Sequence, residues 1–297
     1  MDTKEFLMLD VFTEKRFFGN QLAVFLHGHL FTDKEMQNIA REINFSETTF
    51  VFPRQRKDNT FPVRIFTPQA EVPFAGHPTL GTAFAIQQEF IKEKVSKIDL
   101  FMTAGTIPVE MEYQGDEISR LTMRQNEPAF KKVVDSGVMA QVLGVSKEEV
   151  DDSFPIQEVS TGLPFIIVPL KTKEAVAKAR LHKEAYEKMI ADLEAKCLLI
   201  FCPQTQHPEN QLHARVFAEY LGVYEDPATG SANGCLAAYL LKHRYFGTAN
   251  ELDIRVEQGF EMGRDSILYL KGKEHHHKME IYIGGQVVNV ARGELVE

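Results

Sequence analysis

Along SETTFVF, residues 46–52, Ser46, Thr48, Phe50 and Phe52 fall on one side of an extended strand, and Glu47, Thr49 and Val51 on the other. The alternation predicts a strand entering a core with a carboxylate at its mouth. Upstream, EFLMLDVF predicts a first strand, and FFGNQLAVFL places a turn at Gly19-Asn20 before a second. The period then changes in TDKEMQNIAREI. Thr32, three residues ahead of Glu35, makes a capping box, and Met36, Ile39, Ala40 and Ile43 follow at helical spacing. After the Glu47 strand come another strand, FPVRIFTP, and a helix, PFAGHPTLGTAFAIQQEF. Pro78 suits the first turn of that helix, where a missing N–H costs nothing.

The same order then recurs. PIQEVSTGLPFIIVPL reads as strand, glycine, strand, and a long helix is expected over 172–196, its Lys, Glu and Ala forming a solvated face. The strand CLLIFCP follows, and HARVFAEYLGVYEDPATGSANGCLAAYLL gives a strand, a loop and a helix. Gly19 answers Gly162, Phe52-Pro53 answers Cys202-Pro203, Arg64-Ile65-Phe66 answers Arg215-Val216-Phe217, and Gly76 answers Gly230. The offsets of 143, 150, 151 and 154 rise slowly, as small insertions would make them. A tandem duplication is predicted, with one large mixed α/β domain as the alternative. Its halves are residues 1–126, completed by 286–297, and residues 127–285, with the polar seam at 124–136 as a linker. The tail, MEIYIGGQVVNVARGELVE, adds two strands around Gly284-Gly285.

Composition narrows the class. A chain of 297 residues, 44% hydrophobic and 25% charged, fits a soluble globular protein of two domains. A net charge of -9 argues against a nucleic-acid surface, which needs a basic field. No apolar run reaches the roughly 18 residues of a membrane span. The opening MDTKEFLMLDVF lacks a basic stretch ahead of an apolar core, so no signal peptide is expected. Cys197, Cys202 and Cys235 are too few for a disulfide framework and form no C-x-x-C pair, so a cytoplasmic setting is expected.

Candidate chemistry gathers at two loops. AGHPTLG (75–81) and EDPATGSANG (225–234) stand at corresponding points of the repeat, each ahead of an apolar helix. A helix start offers unpaired N–H groups and the positive end of a dipole, and glycine lets a ligand approach closely. Two such mouths on one inter-domain cleft would trap a small carboxylate. His77 stands at the first mouth, Asp226 and Ser231 at the second; taken singly, each is an ordinary capping residue. The repeat counterpart of Glu47 is Cys197, so the acid exists in one half only. A lone glutamate in a dry setting could give and take one proton near neutral pH.

DVFTEKRFFGNQLAVF, MQNIAREINFSETTFVF, RIFTPQAEVPFAGHPTLGTA, EDPATGSANG and GGQVVNVARGEL together resemble the PhzF-like isomerases of phenazine biosynthesis. The resemblance runs through most of the chain. It implies an α/β (α+β) diaminopimelate-epimerase-like fold, duplicated, in which each half wraps a mixed sheet around a central helix. It implies a homodimer that uses no metal or organic cofactor and acts on a small, cyclic carboxylic acid. The founding activity converts trans-2,3-dihydro-3-hydroxyanthranilate to a ketone. The family's proton-shuttling glutamate falls on Glu47, and its substrate-binding residues on His77, Asp226 and Ser231. Gly76 and Gly230 would supply backbone N–H groups, with Asn20 and Thr229 completing the substrate-binding set. Gln21 and Asp265 stand where proline is common in the family, away from this set.

Two other functions remain open on the sequence: an amino-acid racemase or epimerase of the same fold, and a non-catalytic ligand-binding relative. The first needs a thiol at each mouth, where FAGHP and DPATGS have none. Cys197 and Cys202 are expected in the core. Glu274-His275-His276-His277 reads as a solvated hairpin tip rather than a metal site, because only His275 and His277 would share a strand face. The polar loop 203–213, with His207 and His213, is left as either a ligand contact or plain surface.

Overall fold

The computed structural model describes residues 3–55, 57, 59–276 and 278–296. The chain divides into two compact units, Met1–Arg124 with Gly284–Glu297, and Gln125–Ile283.

The first unit contains β1 (Glu5–Val11), β2 (Asn20–Phe25), α1 (Asp33–Ile43), β3 (Glu47–Val51), β4 (Thr60–Phe66), β5 (Glu71–Val72), α2 (Gly76–Ile86), β6 (Lys97–Met102), β7 (Gly105–Gln114) and β8 (Glu117–Arg124). The closing strand Val287–Glu294 pairs with β1, and the sheet runs on through β2, β3, β4, β6, β7 and β8, with β5 beside β4. All of these pairs are antiparallel except β2–β3 and β4–β6.

Thr32 and Glu35 form the expected capping box of α1, whose Met36 and Ala40 pack on Phe25, Phe31, Phe50 and Phe66. Phe50 stacks on Phe25 with ring centroids 5.0 Å apart. The next residue back along β3 turns the other way: Thr49 Oγ1 lies 2.8 Å from Thr82 Oγ1 of α2. The alternation in SETTFVF thus separates an aromatic layer under α1 from a face on α2. All eleven residues of α2 are buried, so this helix is the core rather than a cover. Gly81 makes the close packing possible, since a Cβ there would stand 2.5 Å from Leu22 Cδ2.

The second unit contains β9 (Ala129–Val134), α3 (Ser136–Leu143), β10 (Ile156–Ser160), β11 (Pro164–Pro169), α4 (Lys173–Lys178), α5 (Lys183–Ile190), β12 (Cys197–Cys202), β13 (Leu212–Ala218), β14 (Val223–Asp226), α6 (Gly230–Lys242), β15 (Glu251–Gln258), β16 (Ser266–His275) and β17 (Lys278–Gly285). Pairing runs β9, β10, β11, β12, β13, β15, β16, with β14 beside β13. Its parallel pairs are β11–β12 and β13–β15, at the same places in the order as those of the first unit. Within this sheet α6 takes the place of α2, with nearly all of its residues buried.

A side-chain signature accompanies the shared topology. Arg64 on β4 makes a two-pronged contact with Glu71 (2.8 and 2.7 Å) and lies over Phe66. Arg215 on β13 does the same with Glu225 (2.8 and 2.8 Å) and Phe217.

Two expectations are corrected. The seam at 124–136 is not merely a linker: Ala129–Val134 forms β9, held by antiparallel pairing with β10. An edge strand can carry polar side chains on its open face, which hid it in the sequence. The single helix over 172–196 is two helices, α4 and α5. Between them the amides of Arg180 and His182 donate to the carbonyls of Leu143 and Val142, 3.0 and 2.8 Å away. Buried Arg215 also takes the α4 carbonyls of Val176 and Ala177 and that of Ala179, so tertiary partners outbid a uniformly helical composition.

Candidate active site

In the first unit, Glu47 opens β3 opposite Leu22 of the parallel strand β2, with its side chain 19% exposed. The Thr49–Thr82 hydrogen bond ties its strand to α2 two residues further in. Helix α2 starts at Gly76 behind Ala75, which has no side-chain cap, so no capping group occupies the first-turn amides. His77 follows and is buried. Its Nε2 lies 3.2 Å from the Gln21 carbonyl oxygen and 3.5 Å from Glu47 Oε2.

The charge on that ring decides what the contact is. Burial pushes the imidazole down to about 3, against a small opposing effect of the Gln21 carbonyl. His77 is therefore neutral near pH 7, and the carbonyl, an acceptor only, assigns the proton to Nε2. Glu47 meets the N–H edge of an uncharged ring and is not held by His77 in an ion pair. Asn20 is buried at the start of β2, reached through a turn at Gly19 with φ +68°. A Cβ at Gly19 would come within 2.3 Å of the Val11 carbonyl oxygen. The buried carboxylate of Asp10 accepts from the Phe17 amide at 2.6 Å and so pins the loop ahead of this turn.

In the second unit, β14 ends at Asp226 and α6 begins at Gly230 behind Thr229. The Thr229 hydroxyl does not cap the helix; it donates to the Asp226 carboxylate. Gly230 is buried and Ser231 half-buried in the first turn. Gln258, at the end of β15, hydrogen-bonds to Asp226, Thr229 and Asn233. The structure thus brings Glu47 and His77 together beside Gly76 and, separately, Asp226 and Thr229 beside Gly230 and Ser231.

The cysteines offer no competing chemistry. Burial, helped by nearby Asp226, pushes the Cys197 thiol up to about 12, and burial takes Cys202 to about 12 and Cys235 to about 11. Cys197 and Cys202 lie in β12 and Cys235 lies in the second turn of α6, so none stands at the start of α2 or α6, and protonated buried thiols are poor bases; both points count against the two-thiol racemase reading.

His213 is buried between Glu257 (3.0 Å) and Glu261 (2.8 Å) on the opposite face of β13 from Ala214. Burial works against its charge, but the two carboxylates carry it up to about 8. With His207, Lys173 and Phe260 it lines a cavity of about 580 Å³. Its ring nitrogens are both occupied, so His213 is a structural ion-pair centre. His275 ends β16 and His276 occupies the turn with φ +48°, while His277 lies outside the described residues. Among the described residues no group of three His, Cys, Asp or Glu side chains is placed to hold a metal ion, and no helix is long and apolar enough to cross a membrane.

A profile described as phenazine biosynthesis-like protein, PhzC-PhzF, matches residues 9–293. The chain belongs to this family. Among its PhzC-PhzF relatives, an uncharacterized isomerase of Clostridium acetobutylicum is 31% identical, covering 97% of this chain and 96% of that one. The trans-2,3-dihydro-3-hydroxyanthranilate isomerase of Pseudomonas aeruginosa is 32% identical over 90% of both chains. The crystal structure of a Bacillus anthracis phenazine biosynthesis protein of the PhzF family superposes with a TM-score of 0.90 at 29% identity, covering both chains fully. A hydroxyproline epimerase from Agrobacterium vitis shares the fold, with a TM-score of 0.64 at 10% identity over 98% of this chain and 90% of that one. The enzyme class that goes with this PhzF membership is isomerase.

Proposed function

We propose that this isomerase moves a proton on a small cyclic carboxylic acid, with Glu47 as the group that takes it from one carbon and returns it to another. The observation that carries this is the 3.5 Å approach of Glu47 to the neutral His77 ring at the uncapped start of α2. An anionic substrate gains from first-turn amides and the helix dipole. Gly76 and His77 supply such amides in the first unit, Gly230 and Ser231 in the second. Asp226, Thr229 and Asn20 are the remaining substrate contacts.

Atoms balance with one carboxyl group. The Glu47 carboxylate accepts a proton from a carbon next to an unsaturated, electron-withdrawing group, and the electron pair shifts along the substrate's π-system. The protonated Glu47 then delivers that proton further along, so the product is an isomer and Glu47 is regenerated. The relative named trans-2,3-dihydro-3-hydroxyanthranilate isomerase makes that compound the first to try.

The test is incubation of the purified chain with trans-2,3-dihydro-3-hydroxyanthranilate and a panel of unsaturated cyclic carboxylic acids in D₂O, followed by proton NMR. Isomerisation, with partial uptake of solvent deuterium at the receiving carbon, is expected from the wild type and not from Glu47→Gln. Full activity in Glu47→Gln, or a wild type inert on the whole panel, overturns it.

A further inference from the structure

Gln258 is a fully buried amide whose four hydrogen bonds go to the turn Asp226–Thr229 and to Asn233 in the first turn of α6. Its Nε2 donates to the Asp226 carbonyl oxygen at 2.7 Å and to Thr229 Oγ1 at 3.1 Å. Its Oε1 accepts from the Thr229 amide at 3.3 Å and from Asn233 Nδ2 at 2.8 Å. The Thr229 hydroxyl passes the chain on to the Asp226 carboxylate. Asp226 is therefore gripped at its carbonyl directly and at its carboxylate through Thr229. Both N–H groups and both acceptor positions of the Gln258 amide are used, and a buried amide satisfied in this way favours one geometry.

The first unit shows what the turn would be without it. Thr79 holds the place in α2 that Asn233 holds in α6, and each bonds back to the carbonyl ahead of its helix: Ala75 at 2.7 Å and Thr229 at 3.0 Å. Met102 ends β6 as Gln258 ends β15, and its sulfur stands 4.0 Å from the Thr79 hydroxyl. A thioether fills the same space with no comparable set of bonds. The four-bond amide occurs in the unit whose turn carries Asp226.

We propose that Gln258 is a positioning residue for substrate binding, setting Asp226 and the first turn of α6; this rests on the assignment of Asp226, Gly230 and Ser231 as substrate-binding. It acts through them and does not touch the reacting atoms. Its loss appears in KM, while kcat, set by Glu47, changes little.

Two variants test it. Gln258→Met installs the first unit's own side chain at nearly equal volume, so it keeps the space filled while removing the four hydrogen bonds. KM for trans-2,3-dihydro-3-hydroxyanthranilate should rise about tenfold or more, as orphaned buried partners demand, with kcat within about threefold. Gln258→Glu keeps the acceptor but, when ionised, loses both donors. Its KM defect should shrink as pH falls and the introduced carboxyl regains a proton.

Hydrogen exchange separates this proposal from the choice of substrate. In Gln258→Met the amides of Thr229, Gly230 and Ser231 should exchange about tenfold faster, while those of Gly76 and His77 keep their wild-type rates. If the wild type proves inert on the whole substrate panel but these amides respond, the proposed function fails and the bracing role stands. Unchanged exchange at 229–231, or a loss confined to kcat, overturns the role of Gln258. So does a fall in thermal stability with KM and exchange unmoved.

Discussion

Nε2 of His77 lies 3.5 Å from Oε2 of Glu47, and the ring that makes this approach is uncharged. The pair is a carboxylate beside a neutral N–H edge. Nitrogen-15 NMR should find His77 neutral, with the proton on Nε2, throughout pH 5–8. A midpoint above the ordinary value of 6.5 would mean that the imidazolium is stabilised beside Glu47 and that the two residues form an ion pair.

Acid stability should carry the same signature. Burial takes His77 from 6.5 to about 3, so between those values the unfolded chain binds a proton that the folded chain refuses. The stability linked to His77 is full above 6.5 and is lost as pH falls toward 3. Denaturant titrations of wild type and His77→Gln across that range should show a shallower acid limb in the variant.

His213 bends the other limb. Raised from 6.5 to about 8, it binds its proton first in the folded state, so its contribution is full below 6.5 and disappears as pH rises through 8. For a shift of this size the change is about 2 kcal/mol. Replacement by Gln should flatten stability between pH 6.5 and 8.5, read from urea midpoints.

The two arginine–glutamate pairs of the repeat predict unequal costs for one substitution. The Arg215 side chain is 2% exposed and also serves three carbonyls, whereas Arg64 is 28% exposed. Arg215→Lys should cost about 3–5 kcal/mol by leaving buried groups unpaired. Arg64→Lys should cost about 1 kcal/mol or less. Equal losses would show that burial does not set the difference.

Thr49 and Thr82 form a hydrogen bond out of contact with water. Thr49→Val should cost about 1–3 kcal/mol by orphaning Thr82, and adding Thr82→Val should recover much of it. Additive losses in the double variant would remove the bond from the account of how β3 is held on α2.

Much of the fold was legible because the signals were local and periodic. The alternation from Ser46 to Phe52 does sort into an aromatic face and an α2 face, and Thr32 with Glu35 does cap α1. Glycine-rich turns also announced where α2 and α6 begin. What escaped notice depends on residues far apart in the chain. Nothing near Arg180 signals that the carbonyls of Leu143 and Val142 will break a Lys/Glu/Ala-rich helix. Polar β9 owes its existence to β10. Gln258 follows Glu257 at a strand end and looks like surface, yet both side chains are buried on opposite faces of β15. Glu257 gathers the amides of Gln206 and His207, while Gln258 gathers the turn at Asp226. A polar side chain shows its partners only once the chain is folded.

The first unit is closed by a strand, Val287–Glu294, that leaves the ribosome after every residue of the second. Helix α2, with no polar face, gains little from forming before its sheet is complete. The second unit is one continuous stretch and has no such wait. The sheet of the second unit can therefore be completed before that strand exists, while the half that bears Glu47 stays open along β1 until residues 287–294 arrive.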